Sequence, residues 1–284
     1  MVRFCRDRLA WTPAGFPGAV FCALVLWHGL APAPAAAASF TPHRAVYELT
    51  LGKSRGPGAV SHAQGRLEFE WDDVCTGWTV SQRTRVEMST SEGRTLDFGW
   101  TLNSLEAKDG LHYRFFIRRF NADGSTEESS GEARLDGPGR GGRAIFREPV
   151  ALDVVLPKGT LFPTAHSLYL IDAARKGSYP VWRMVFDGSG DEGLFGVNAA
   201  LSQSLEAGSA VDFDSPLIQG QASWRLHLAY FGPDESVSEP EHEQRLRLFE
   251  NGVVDELLLD YGDFALIARL QALEPLPDPK CKAE

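Results

Sequence analysis

Most of this chain is written in period two, and that rhythm limits what it can fold into. Trp78, Val80, Gln82, Thr84, Val86 and Met88 take every second position of Cys75–Thr90. Leu96, Phe98, Trp100 and Leu102 do the same in Arg94–Glu106, and Leu67, Phe69 and Trp71 alternate with Arg66, Glu68, Glu70 and Asp72. One apolar and one polar face per segment is the mark of antiparallel strands solvated on one side. The same reading predicts strands over Arg44–Lys53, His112–Phe120 (with Phe116 out of phase), Thr126–Leu135, Ala144–Phe146, Leu152–Leu156 and Pro180–Asp187. It continues over Trp224–Tyr230, Leu246–Phe249, Val253–Tyr261 and Asp263–Leu273, with Asn251-Gly252 as the strongest hairpin signal. One segment departs. Thr164 is placed to cap a helix over Ala165–Lys176, with Leu168, Ile171 and Ala174 at helical spacing and Gly177 as terminator. Gly188–Gly193, Gly208–Gly220 and the acidic Gly232–Glu243 read as loops.

So many strands with one helix form an all-β fold whose sheet must cover its own apolar face. With 17 Phe and 7 Trp in the chain, that face is broad. A strongly curved antiparallel sheet or open barrel, crossed by one helix near 164–176, covers it and removes sticky edges. Such an interior is either packed solid or holds an apolar ligand. Phe98, Trp100, Phe115 and Trp224 are candidate lining residues, and the pattern alone leaves open which face turns inward.

The first 38 residues have the layout of an export signal. Arg3, Arg6 and Arg8 precede an apolar stretch from Gly15 to Leu30, and a small-residue run from Ala33 to Ala38 ends it. Cleavage there leaves one domain over 39–284, directed to the periplasm and without a membrane-spanning segment. Removing three arginines and one aspartate leaves 25 basic and 37 acidic residues, a net −12. That balance disfavours nucleic acid and anionic head groups as general partners. Only Cys75 and Cys281 remain after the leader. Two cysteines in an exported chain form a disulfide or stay as buried thiols, and the compartment favours the disulfide. It would close a loop of about 207 residues, for which chain entropy gives at most about 5 kcal/mol.

Motifs for chemistry are weak. Gly188-Ser189-Gly190-Asp191-Glu192-Gly193 fits a dinucleotide-loop pattern, but two acids sit where a pyrophosphate would approach and the setting is antiparallel, so a glycine-rich turn is expected. His242 lies in Glu239-Pro240-Glu241-His242-Glu243 without metal-ligand spacing, which reads as a solvated loop. No serine occupies a nucleophile elbow. His166 would serve as a base only if the fold brought a serine and an aspartate to it. No catalytic residue, cofactor or metal is therefore assigned, and a hydrolase with an unrecognised site is the alternative.

Several stretches in order carry a resemblance: Val46-Tyr47-Glu48-Leu49, then Trp71 to Cys75 with Trp78. Leu156-Pro157-Lys158-Gly159-Thr160-Leu161-Phe162-Pro163-Thr164-Ala165-His166 follows, and Tyr261-Gly262-Asp263-Phe264 and Cys281 complete the set. Together they resemble the EipB family of periplasmic cell-envelope integrity proteins. The resemblance implies a monomeric β-spiral with a crossing helix, similar in shape to periplasmic lipoprotein carriers. It implies a disulfide between Cys75 and Cys281, and it transfers no catalytic residue. The expected function is non-enzymatic support of envelope integrity, with a lipid, a lipoprotein segment or an envelope protein held on the concave face.

Overall fold

The computed structural model describes residues 40–56, 59–178, 180–207, 213–233 and 238–281. The export-signal expectation falls outside them. The chain folds as β1 (His43–Ser54), β2 (Val60–Asp73), β3 (Gly77–Thr90), β4 (Thr95–Ala107), β5 (His112–Phe120), β6 (Thr126–Leu135), β7 (Gly142–Glu148), β8 (Leu152–Leu156), α1 (Pro163–Arg175), β9 (Val181–Phe186), β10 (Leu194–Leu201), β11 (Ser223–Phe231), β12 (His242–Phe249), β13 (Val254–Asp260) and β14 (Phe264–Pro275). All fourteen strands form one antiparallel sheet in the order β8 to β1, then β14 to β9. The first and last strands therefore meet mid-sheet, His43 opposite Pro275 and Thr50 opposite Ile267.

The two ends of that sheet curl toward each other. Phe186 of β9 packs on Phe115 of β5 and Phe146 of β7, with ring centroids 5.8 and 6.0 Å apart. Tyr113 stacks on Phe162 at 5.3 Å and donates its hydroxyl to the Asp187 carbonyl at 3.2 Å. Each such aromatic pair adds about 0.5–1.5 kcal/mol beyond its buried area. The free side of β9 is satisfied by Leu161, whose N–H donates to the Met184 carbonyl and whose carbonyl accepts from Phe186. The result is a nearly closed barrel with an aromatic seam.

Helix α1 lies on the inner face. Leu170, Ile171, Ala173 and Ala174 pack with Val185, Val197, Trp224, Leu226 and Leu248. It begins two residues earlier than Thr164 would dictate: Pro163 occupies the first turn, where its missing N–H is harmless, and the N-cap residue Phe162 offers no side-chain acceptor. At the other end Gly177, at φ +66°, donates to Ala174 and Ser178 donates to Ala173, the paired bonds of a Schellman stop.

The sequence expectations needed three corrections. β10 was not anticipated. His242 opens β12 and stacks on Tyr230 at 4.3 Å, so it is not part of a solvated loop. Thr164 lies inside the helix and does not cap it. The glycine motif is the turn between antiparallel β9 and β10, with Gly188, Gly190 and Gly193 at φ +77°, +65° and +66°.

Candidate functional site

Cys75 and Cys281 are bonded, with Cα atoms 5.6 Å apart. Cys75 sits in the β2–β3 turn at φ +66°, a conformation held by its N–H donating to the Asp73 carboxylate at 2.7 Å. The bond ties the tail after β14 to that turn.

Residues directly opposite across antiparallel strands share a face, so the register lays out the inner wall in rows. Asp73, Trp78, Glu106 and Tyr113 form one row. Trp71, Val80, Ser104 and Phe115 form the next, followed by Phe69, Gln82, Leu102 and Ile117, then Leu67, Thr84, Trp100 and Arg119. Gly65, Val86 and Phe98 continue it. Glu106 in the first row bonds the helix, which fixes this as the inner face.

Burial along these rows is uneven. Trp71, Phe115, Ile117, Leu67 and Val86 are buried. Phe69, Trp78, Val80, Leu102, Phe98 and Trp100 face the same way and are only half-buried. Protein interiors pack densely, so half-covered aromatic and aliphatic groups on an inward face mean that protein atoms do not fill the space before them. Phe69 and Phe98 pack along one edge on the cluster that holds Tyr47 and Leu67, and Leu102 packs on the one that holds Tyr113 and Phe115. Their remaining surface, with that of Trp78, Val80 and Trp100, forms a shallow apolar trough along the middle of β2–β4. A few polar groups line it, among them Gln82, whose amide donates to Thr84 at 3.4 Å. Trp78 forms one end of the trough, stacked on Trp71 at 4.3 Å and covered by the Lys108 ammonium at 4.4 Å. Of the four lining candidates, Phe98 and Trp100 belong to this trough. Phe115 is packed in the aromatic seam. Trp224 is packed under α1, where its indole N–H meets no acceptor among the described residues.

Two hollows lie on the solvent face instead. One, of about 650 Å³, runs over Leu105, Arg114, Glu132, Arg143 and Ile145. The other, of about 480 Å³, runs over Arg83, Arg85, Asp97, Gly99 and Phe120.

Two titratable groups meet the start of α1, and one of them, Glu106 of β4, was not singled out from the sequence. Glu106 is 3% exposed and accepts the N–H groups of Thr164 and Ala165 at 2.7 and 2.8 Å. It caps α1 from strand β4, and burial pushes its carboxyl up to about 7. The sequence carries only a partial signal, a glutamate on the inward phase of β4 and a helix with no acidic residue in its first turn, and nothing in it joins the two. His166 is buried in that first turn, and burial, then the Arg183 charge, take its imidazole down to about 4. Ser167 beside it donates its hydroxyl to the Pro163 carbonyl at 3.0 Å. Among the described residues no group of three or more histidine, cysteine or acidic side chains is placed to hold a metal ion.

Comparison with known proteins now bears on this architecture. A family model described as EipB-like matches residues 34–277. The chain belongs to the EipB-like family. It is 30% identical over 262 residues to the cell envelope integrity protein EipB of Brucella abortus strain 2308, covering 88% of this chain and 90% of that protein. It is also similar to a crystal structure of a β-barrel-like protein of a domain of unknown function from Brucella abortus. There the TM-score is 0.76 at 26% identity, covering 85% of this chain and all of that one. The EipB-like membership agrees with the wrapped antiparallel sheet and its single inner helix.

Proposed function

We propose that this protein acts in the cell envelope, on the periplasmic side, as a non-enzymatic holder of an apolar segment such as a lipid tail or the acyl chain of a lipoprotein. The envelope setting rests on the relative named for envelope integrity and on the export-signal pattern of residues 1–38. The binding reading rests on one observation: Phe69, Val80, Phe98, Trp100 and Leu102 face the interior yet are only half-covered. Apolar surface kept from water on one side and from protein on the other is what a ligand with an alkyl chain fills. Each buried methylene of such a chain contributes about 0.8 kcal/mol.

N-phenyl-1-naphthylamine, a neutral apolar dye, tests this. It should brighten with the wild-type protein, and Leu102→Glu should abolish the signal while leaving the circular dichroism unchanged. Equal signals from both proteins would place the dye elsewhere and refute the trough.

A further inference from the structure

The trough contains one charge that the apolar reading leaves unused. Arg119 follows Tyr113, Phe115 and Ile117 on the inward phase of β5 and stands directly opposite Trp100. It is half-buried. Its outward-facing neighbours are paired: Arg114 and Arg147 with Glu132, Arg118 with Glu128, Arg143 with Asp153. Arg119 has no such partner among the described residues. Glu127, across from it on β6, accepts from the Asn121 amide at 3.1 Å. Asp187 feels the Arg119 charge, but its carboxylate accepts from the Ser189 N–H at 2.7 Å. A half-covered guanidinium on an apolar wall offers a planar fork of donors suited to a carboxylate or phosphate.

We propose that the trough takes an anionic amphiphile, with its carboxylate or phosphate head on the Arg119 guanidinium and its chain across Trp100, Leu102 and Phe69. This deepens the apolar-segment reading and rests on it. Rows one strand step apart along β4 place Trp100 beside the head and Leu102 next along the chain, so head and tail sites are contiguous. Gln82 and Ser104 lie further in and lack the charge to compete for the head.

The test compares a dansyl-labelled long-chain fatty acid with its methyl ester at pH 7.5, by fluorescence titration. Charge-assisted hydrogen bonds predict that wild type binds the acid about tenfold or more tighter than the ester. Arg119→Gln should equalise the two while still binding the ester, and Arg119→Lys should restore part of the preference. A matching dansyl phospholipid with a phosphate monoester head, used beside the acid, shows which head is preferred. Equal affinity of wild type for acid and ester, with both bound, overturns the role of Arg119 and leaves the apolar trough standing. If neither binds, the apolar-segment reading and this inference both fall.

Discussion

Glu106, which caps α1 from β4, and His166, in the first turn of α1, titrate in opposite senses. Glu106 has a folded pKa of about 7 against the usual carboxylate value near 4.5. The folded state therefore holds the extra proton between these values, and stability falls as pH rises from 4.5 to 7. His166 has a folded pKa of about 4 against 6.5, so the unfolded state holds the extra proton and stability rises from pH 4 to 6.5. In the wild type these slopes largely cancel. Urea midpoints measured against pH should therefore be flat near pH 5–6 in the wild type. They should rise over pH 4–6.5 in Glu106→Gln and fall over pH 4.5–7 in His166→Gln. Parallel profiles in all three would remove both groups from the account. Glu106→Ala should cost about 2–4 kcal/mol, because two buried helix N–H groups lose their acceptor. Neither role could be read from the linear pattern. Glu106 ends a run of inward positions in β4, but its partner lies 58 residues on, and only the fold reveals that the helix lacks its own cap.

At the scale of elements, the strands with strict alternation were legible almost to the residue. β3 and β4 begin and end within two residues of where period two places them. β10 was not, for a physical reason: Leu194-Phe195-Gly196-Val197-Asn198-Ala199-Ala200-Leu201 is buried on both faces at its start and carries glycine and alanines that weaken a strand signal. The Trp182 ring lies over Gly196, so the missing side chain is space that a neighbour uses. The turn before β10 shows the same economy. A β-carbon on Gly188 would lie 2.6 Å from the Phe115 ring, and the residue is at φ +77°. Gly124, at φ +83°, has open space around it. Gly124→Ala should thus cost about 1–2 kcal/mol from backbone strain alone. Gly188→Ala should cost a further 1–3 kcal/mol or so from overpacking the seam. Equal urea midpoints for the two variants would show that the seam tolerates the added methyl.

For the whole molecule, wrapping follows from arithmetic that the sequence displayed: many half-apolar strands, one helix and a late cysteine. What it could not display was the sheet order. That β1 and β14 pair in the middle, leaving β9 to pack on β5 and β7 through Phe186, Phe115 and Phe146, depends on long-range pairing. The same limit applied to the lining residues. Phe98, Trp100, Phe115 and Trp224 share an alternating character in sequence, yet the fold buries Phe115 and Trp224 inside packed clusters and leaves Phe98 and Trp100 partly uncovered. The Cys75–Cys281 bond, separated by 206 positions, ties the tail across nearly the entire domain. Replacing Cys75 with Ser should lower stability by about 2–5 kcal/mol, read as a shift in the urea midpoint, while far-ultraviolet circular dichroism keeps its β signature.

The central claim is that the half-covered inner wall of β2–β4 is occupied in the cell. Native mass spectrometry on protein purified from its own cells without detergent tests it directly. The account predicts a wild-type population heavier than the bare chain by the mass of an amphiphile, and loss of that population in Leu102→Glu. A bare chain mass for the wild type, identical in form to the variant, would contradict it.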